Sequence, residues 1–378
     1  MYKPVILIGN GIRNNPALIN HLTSLQVPCI TTWMAADLLS EDSPVYCGRP
    51  GIFGQRASCI IQQKATHLYC FGARLDGEQV AYDYDRFAPN AEIYIYDIDP
   101  AEAQKFPKRY HVTQTLDCRD DIDFLPAFEP PHRDWLNWCK ALYTRFRPDL
   151  DGRQETGDGG GDHFVDPFTF TRLLHDHSQS DDVFAIGSSG NAPTVFFQAY
   201  KVRAGQRISN VCTIGAMGAD IPMALGSALA SGRRTICVTG DGGFAMNAQE
   251  LETIRRLRLP IIFFVMNNGG YNSIRVGQLA RFGRVTGANP ATGLTLPSIE
   301  AIAEAYRLCY MPLHGRDLPN FARCFGIAPM VVEVFVDPEW QQLPRVMASG
   351  NPIRTDDMEN MYPYLPENEL REIMEWDG

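Results

Sequence analysis

Two apolar, β-branched runs constrain the fold of this chain more than any other feature of its sequence. TICVTG (235–240) and IIFFVM (261–266) are strand-sized, and polar residues follow each of them, GDGG in the first case and NNGG in the second. Runs without polar alternation are typical of parallel strands that are buried on both faces. The stretch between them is long enough to return the chain in the same direction. We therefore predict two adjacent or nearly adjacent parallel strands whose carboxyl ends carry Asp241 and Asn268.

An amphipathic helix is predicted within this crossover. Leu251, Ile254 and Leu257 recur at helical spacing and predict a buried stripe. Asn247 precedes the stripe, and Glu250 lies three residues after Asn247, which is the pattern of a reciprocal capping box. We expect Asn247 to cap this helix.

The alternation of strands and helices extends along the whole chain. It begins with the strand PVILIGNG (4–11), and it indicates parallel α/β sheets. A length of 378 residues suffices for two domains. Between them, the Gly/Asp-rich stretch DGRQETGDGGGDHF is typical of a linker. The predicted organisation is a doubly wound domain over 1–128, a linker over 129–164 and a second doubly wound domain over 165–378, which includes a C-terminal tail.

Composition excludes several classes of function. Acidic residues outnumber basic ones by 44 to 34, and no cluster of lysine and arginine is dense enough for a nucleic-acid footprint. The longest apolar run is only strand-sized, so no membrane-spanning helix is predicted. The ten cysteines are scattered without a CxxC pair, and no signal sequence precedes the first strand. We expect a cytoplasmic protein that binds neither nucleic acid nor membrane.

The polar residues at the two strand ends predict a site for a cation and a phosphate group. Open α/β sheets bind ligands at the carboxyl edge of their strands. Asp241 offers a carboxylate oxygen, Asn268 an amide oxygen and Gly270 a carbonyl oxygen, which are hard ligands that suit Mg²⁺ or Ca²⁺. Gly242 and Gly243 carry no side chain, so their N–H groups can approach a phosphate closely. Either motif alone would indicate only a tight turn, and the combination of the two favours a site.

The pairing of GDG with NN resembles the signature of thiamine-diphosphate-dependent enzymes. In that family the aspartate, the second asparagine and a carbonyl two residues further on hold Mg²⁺ against the diphosphate of the cofactor. The resemblance therefore implies that Asp241, Asn268 and Gly270 are the metal ligands. It also implies that the second predicted domain is the diphosphate-binding domain.

The segment upstream of these motifs extends the resemblance. IGAMGADIPMALGSALA (214–230) is similar to the family's segment that meets the aminopyrimidine ring. There, Gly215 would accept a hydrogen bond from the 4′-amino group, and Met217 would hold the cofactor in its bent conformation. Without that context, Met217 would be explained equally well by core packing. SSGNAP resembles the loop that touches the diphosphate, which assigns Gly190 and Asn191 to cofactor binding.

The N-terminal half is similar to the acetolactate-synthase-like branch of the family, through KPVILIGNG, FGARLD and FAPNAEIYIYDIDPAE. In that branch this half forms a middle domain with a nucleotide-binding-like sheet, which binds FAD in acetohydroxyacid synthases. GNGIRN has Asn14 where a dinucleotide fingerprint has its third glycine, so the motif does not favour FAD here. Asp97 and Asp99 end a strand and could meet a ribose. An oxidoreductase that uses FAD or a nicotinamide therefore stays open as an alternative.

The acetolactate-synthase-like branch has a pyrimidine-binding domain before the middle domain, whereas this sequence starts at the middle domain. The resemblance implies that the pyrimidine-binding domain carries the glutamate that activates the cofactor, a proton-transfer role that needs a positioned acid. We expect a split, heteromeric enzyme in which a separate chain supplies that domain, with two copies of each chain in a heterotetramer. No catalytic residue is assigned to this chain.

The predicted function is that of a thiamine-diphosphate-dependent lyase or transferase which is active only with its partner chain. It decarboxylates a 2-oxo acid and transfers the acyl anion equivalent to a second carbonyl compound, as acetolactate-synthase-like carboligases do. A decarboxylase that releases an aldehyde and a non-catalytic partner subunit with the cofactor fold stay open as alternatives.

Two residues after the NN motif are candidates for contact with the substrate. Tyr271 and Arg275 follow the predicted metal ligands closely, and Arg275 could donate two hydrogen bonds to an acidic group of the substrate. Acetohydroxyacid synthases carry a methionine and a tryptophan where this chain has Ser273 and Gly277. This departure argues against a role in branched-chain amino acid synthesis.

Overall fold

The computed structural model describes residues 2–106, 110–115, 133–148, 151, 161–349 and 354–377. The chain divides into two compact units, of which the first comprises Met1–Glu155 with Leu343–Gly378 and the second comprises Thr156–Gln342. Each unit contains a parallel sheet with helices in the connections between its strands. This arrangement confirms the predicted class of two doubly wound α/β domains.

The strands of the first unit are β1 (Pro4–Ile8), β2 (Cys29–Thr31), β3 (His67–Phe71), β4 (Glu92–Asp97) and β5 (Tyr110–Thr115). Its helices up to residue 148 are α1 (Pro16–Ser24), α2 (Arg56–Lys64), α3 (Ala101–Gln104) and α4 (Arg133–Arg145), with 3₁₀ turns at Asn10–Ile12 and Trp33–Ala35. The strands pair in parallel in the order β2-β1-β3-β4-β5. β1 is buried along its whole length because its five residues, PVILI, are all apolar.

Part of the range predicted to be a linker is a helix of the first unit. Helix α4 buries Trp135, Cys139 and Leu142, whose spacing places them on one face. The indole N–H of Trp135 donates to the carbonyl of Pro4 at 2.9 Å. The proline- and glycine-rich sequence on both sides of α4 concealed this packing at the sequence level. The Gly/Asp-rich residues 152–160 lie outside the described residues.

The strands of the second unit are β6 (Val183–Ile186), β7 (Arg207–Asn210), β8 (Thr235–Gly240), β9 (Ile261–Asn267), β10 (Cys309–Leu313) and β11 (Met330–Phe335). Its helices are α5 (Pro167–His177), α6 (Asn191–Ala199), α7 (Asp220–Ser231), α8 (Asp241–Met246), α9 (Glu250–Leu257), α10 (Asn272–Phe282) and α11 (Ile299–Ala305), with 3₁₀ segments at Pro290–Thr292 and Gly315–Phe325. The strands pair in parallel in the order β10-β11-β9-β8-β6-β7. β8 and β9 are therefore neighbours, as their apolar runs predict.

The crossover between β8 and β9 contains two short helices, α8 and α9, instead of one capped helix. The predicted cap at Asn247 is wrong, because its amide donates to the carbonyl of Gly218 at 2.8 Å and α9 begins without a side-chain cap. The chain turns into α8 as soon as β8 ends, so Asn247 follows one helix and does not start the next. Leu251 and Ile254 are buried as predicted, whereas Leu257 at the end of α9 is 41% exposed.

The C-terminal segment, predicted to be the tail of the second domain, lies in the first unit. It forms β12 (Ala348–Ser349), β13 (Arg354–Thr355) and α12 (Glu367–Glu375). Met361 and Ile373 are buried in the core of that unit. The buried guanidinium of Arg56 donates to the carbonyls of Met361 and Pro363, at 2.8 Å each. These apolar and polar contacts hold the segment against the first unit.

Candidate functional site

The carboxyl ends of β6, β8 and β9 meet at one edge of the second sheet. β8 lies between β6 and β9, and Gly240 is paired with Met266 at the end of the β8–β9 ladder. Asp241 and Asn268 therefore leave adjacent strands at the same edge. Helix α8 begins at this edge, directly after β8, so its first backbone N–H groups have no carbonyl partner within the helix.

A cavity of about 210 Å³ lies at this edge of the sheet. It is lined by all nine residues that the sequence assigns to cofactor binding, which are Gly190, Asn191, Gly215, Met217, Asp241, Gly242, Gly243, Asn268 and Gly270. They come from separate loops that converge because the strands before them are parallel and adjacent. The geometry thus joins residues that are up to 80 positions apart in the sequence.

The carboxylate of Asp241 is buried and held by backbone donors. Its Oδ1 accepts from the N–H of Gly242 at 2.7 Å, and its Oδ2 accepts from the N–H of Gly270 at 2.9 Å. Burial raises the pKa of Asp241 to about 6, and these N–H groups offset part of that rise. The side chain is therefore fixed in position, and a nearby cation would favour its ionised form.

Asn268 presents an amide oxygen that has no hydrogen-bond partner although it is buried. Leaving such an oxygen unsatisfied costs about 1–3 kcal/mol. Gly270 adds a carbonyl that accepts one bond, from the N–H of Asn272 at 3.1 Å, and keeps its second lone pair. One carboxylate, one unpaired amide oxygen and one carbonyl form a donor set that fits a hard divalent cation.

Gly270 itself is required by the backbone at this point. Its φ is +133°, and a Cβ at this position would lie 2.4 Å from the carbonyl oxygen of Ala288. No group of three or more His, Cys, Asp or Glu side chains suited to a metal occurs in the part of the chain that the structure describes. Of the proposed cation ligands, only Asp241 is a carboxylate.

Two family models match the chain. "Thiamine pyrophosphate enzyme, central domain" matches residues 2–119, and "Thiamine pyrophosphate enzyme, C-terminal TPP binding domain" matches residues 188–333. The second range contains all nine of the predicted cofactor residues. The chain belongs to the thiamine pyrophosphate enzymes. Thiamine pyrophosphate is the same compound as thiamine diphosphate, the cofactor that the sequence motifs indicate.

Curated relatives of this thiamine pyrophosphate enzyme include acetolactate synthase large subunits. The isozyme 2 subunit of Escherichia coli strain K12 is 30% identical over 290 residues, or 73% of this chain and 49% of the relative. The isozyme 1 subunit of the same strain is 30% identical over 272 residues, 70% of this chain and 46% of the relative. The Corynebacterium glutamicum subunit is 27% identical over 366 residues, 92% of this chain and 57% of the relative. The chain thus spans about half the length of the curated relatives it matches.

The other side of the cavity offers donors to an anion, as expected for a thiamine pyrophosphate enzyme. Helix α6 begins at Asn191, directly after Gly190, and no side chain caps it. The side-chain amide nitrogen of Asn191, Nδ2, is buried without a hydrogen-bond partner. Gly190 has a φ of +79°, a conformation that glycine adopts without strain. Helix N-termini with free N–H groups are suited to phosphate, so the fold of the loop fits the diphosphate contact that the sequence predicts.

The two candidate substrate residues have different surroundings. Tyr271 lines the cavity, and its ring packs beside Gly242, where a Cβ would lie 2.4 Å from the ring. Arg275 is buried on α10, does not line the cavity, and donates to the carbonyl of Pro338. The predicted contact between Arg275 and a substrate therefore has no counterpart in this arrangement.

Sequence reasoning missed one charged residue of the cavity, Asp220. It lies at the first position of α7 and is 3% exposed. Its only sequence signal is a single acid inside the apolar stretch IGAMGADIPMALG, and an isolated aspartate before a helix is normally explained by capping.

Among the described residues, no helix has the length and apolar character needed to cross a membrane.

Proposed function

We propose that this chain is the diphosphate-binding subunit of an enzyme that decarboxylates a 2-oxo acid and transfers the acyl group to a second carbonyl compound. The observation that carries the proposal is the cavity in which all nine predicted cofactor residues meet. The names of the relatives, which are acetolactate synthases, support carboligation over simple release of an aldehyde. Bound thiamine diphosphate would supply the electron sink for the carbanion.

The residues of this chain bind and orient in such a reaction. Asp241, Asn268 and the carbonyl of Gly270 would hold Mg²⁺ against the diphosphate, because they offer the hard oxygen donors at the sheet edge. Gly215 and Met217 line the same cavity, where they would position the pyrimidine ring. The buried walls would exclude water from the reacting carbon.

Binding of the cofactor tests the proposal directly. Calorimetry with thiamine diphosphate should show Mg²⁺-dependent binding by the wild type, and Asp241→Asn should weaken it by about 10- to 100-fold because a neutral amide is a poorer cation ligand. Asp181→Asn is the matched control, since Asp181 is exposed and lies just before β6, at the end of that strand opposite the cavity. Product analysis with pyruvate and other 2-oxo acids, on this chain together with the proposed partner chain, then separates carboligation from aldehyde release. Absence of Mg²⁺-dependent binding by the wild type would refute the proposal.

We further propose that a separate chain supplies the pyrimidine-binding domain and its activating glutamate. The complex would be a heterotetramer with two copies of each chain. Among the residues that the structure describes, no glutamate lines the cavity. Helix α10, which follows the NN motif, exposes three large apolar side chains, and these are Ile274, Leu279 and Phe282. Large exposed apolar side chains on one helix are a feature of protein–protein contacts. The nine cysteines within the described ranges are free thiols, which supports a cytoplasmic location.

The exposed face of α10 gives the test for this partner. Leu279→Ser with Phe282→Ser should reduce co-purification with a chain that supplies the pyrimidine-binding domain at least tenfold, because both side chains are more than half exposed and free to pack. Leu229→Ser is the matched control, since Leu229 is 55% exposed but lies near the far end of α7. Full turnover by this chain alone would refute the requirement for a partner.

A further inference from the structure

Asp220 occupies the place where the loops of the cavity converge. Its carboxylate accepts a hydrogen bond from the hydroxyl of Thr239, two residues before Asp241. A Cβ on Gly243 would lie 2.8 Å from Oδ2 of Asp220, and a Cβ on Gly187 would lie 3.5 Å from the same atom. The carboxylate therefore fills the space that these two glycines leave free, directly beside the predicted diphosphate loop.

The second oxygen of this carboxylate has no partner. Oδ1 of Asp220 is buried without a hydrogen bond, and Asp220 lines the cavity. Among the described residues, no lysine, arginine or histidine lines this cavity, so an ionised Asp220 would have no cationic side chain beside it. A divalent cation held by Asp241 would offset the charge of that carboxylate and part of the diphosphate charge. A second negative charge at Asp220 would then oppose binding of the anion.

We propose that Asp220 binds the diphosphate as a neutral carboxylic acid, with its Oδ1–H donating to a phosphate oxygen while Oδ2 accepts from Thr239. This inference rests on the proposed function, since it concerns the same cofactor. It gives the unpaired oxygen a partner and removes the like-charge repulsion. It also makes binding consume one proton whenever Asp220 is ionised in the free protein.

The surroundings of Asp220 favour the neutral form. Burial is the largest cause that raises the pKa of Asp220, to about 6, and the backbone N–H groups of Asp220 and Ile221 oppose the rise. Helix α7 packs against β6, β7, β8, β9, α8 and α9. Their charged or titratable residues are Arg207 on β7, Cys237 on β8, Asp241 on α8, and Glu250, Glu252, Arg255 and Arg256 on α9.

The sign of the pH effect follows from this pKa. Below pH 6 the carboxyl group is already protonated, and anion binding takes up no further proton there. Above pH 6 it must be protonated on binding, so the affinity should fall by about tenfold per pH unit as the pH rises, until the higher pKa of the complex is reached. An amide at this position can donate to the phosphate without titrating.

The experiment measures binding of Mg²⁺ with inorganic pyrophosphate, and separately with thiamine diphosphate, to the full chain between pH 5.5 and pH 8. Pyrophosphate is a suitable probe because the second unit alone forms the diphosphate end of the cavity. Asp220→Asn should bind about as tightly as the wild type at pH 5.5 and about tenfold more tightly at pH 7. Asp166→Asn is the matched control, a buried carboxylate outside this cavity that caps α5. Any titration of the ligands themselves affects the pH profile of this control and of the wild type equally.

Calorimetry of the wild type in two buffers of different ionisation enthalpy adds a readout that needs no variant. The proposal is supported if about one proton is taken up per bound ligand at pH 7, after subtraction of the protons that the ligand itself takes up or releases. Parallel pH profiles for the wild type and Asp220→Asn, or no proton uptake, would overturn it while leaving the proposed function intact. No binding of either ligand by the wild type would overturn both.

Discussion

At the scale of single residues, the cavity combines atoms that lack partners with backbone positions that admit no side chain. The amide oxygen of Asn268 and the amide nitrogen of Asn191 are both buried and unpaired. Buried polar atoms are normally hydrogen-bonded. An acceptor suited to a cation and a donor suited to a phosphate therefore lie in one cavity, which is the pattern that a metal-bound diphosphate requires.

Gly270 gives a prediction at this scale. Gly270→Ala should lower the free energy of unfolding by about 2–4 kcal/mol, because alanine is strained at a φ of +133° and its Cβ would collide with the carbonyl of Ala288. Gly226→Ala is the matched control. Gly226 is exposed within α7, and a Cβ there meets no atom within 4 Å. That variant should be more stable by about 1 kcal/mol, since alanine favours the helix. Urea unfolding measures both, and equal effects would contradict the prediction.

Residue identity also explains which parts of the site could be predicted. Asp241 and Asn268 stand out in the sequence because each follows a long apolar run, and the register of β8 and β9 then brings them together. Asp220 has no such marker, since its role depends on the space beside Gly187 and Gly243. Contacts of this kind arise from folding of distant loops and leave no local pattern.

At the scale of secondary-structure elements, the strands were easier to predict than the crossover between them. The burial of β8 and β9 follows from composition alone. The break between α8 and α9 does not, because Asn247 and Glu250 match a capping box that the structure does not form. The helical turn of α8 uses Gly242 and Gly243, residues that propensity alone would place in a loop.

The junction between α2 and the C-terminal segment gives a second prediction. Arg56 is buried, pairs with Asp151 at 2.9 Å and donates to two carbonyls of that segment. Arg56→Ala should lower the free energy of unfolding by about 3–5 kcal/mol, because it leaves a buried carboxylate and two carbonyls unpaired. Arg145→Ala removes an exposed pair with Glu369 on the same segment and should cost at most about 1 kcal/mol.

Thermal or urea unfolding, monitored by tryptophan fluorescence, distinguishes the two arginine variants. Trp135 and Trp376 stack in the first unit, with ring centroids 6.0 Å apart, so their emission should report loss of the C-terminal segment. Comparable losses for Arg56→Ala and Arg145→Ala would show that burial does not set the strength of these contacts.

At the scale of the whole molecule, the number and class of the domains could be predicted, but the path of the chain between them could not. Length and alternating elements suffice for two α/β units. The sequence alone did not place the C-terminal segment in the first unit, because a segment is expected to belong to the domain that directly precedes it in the chain. Met361 and Ile373 instead fill the core of the first unit, more than 200 residues after α4.

The discontinuous first unit has a consequence for biosynthesis. A ribosome makes a chain from its N-terminus, so residues of the first unit are made before the second unit, yet the core of the first unit lacks Met361 and Ile373 until the whole second unit has been synthesised. The second unit is continuous, from Thr156 to Gln342, and all of it is synthesised earlier than these residues. The second unit can therefore be complete on the ribosome before Met361 and Ile373 of the first unit have been synthesised.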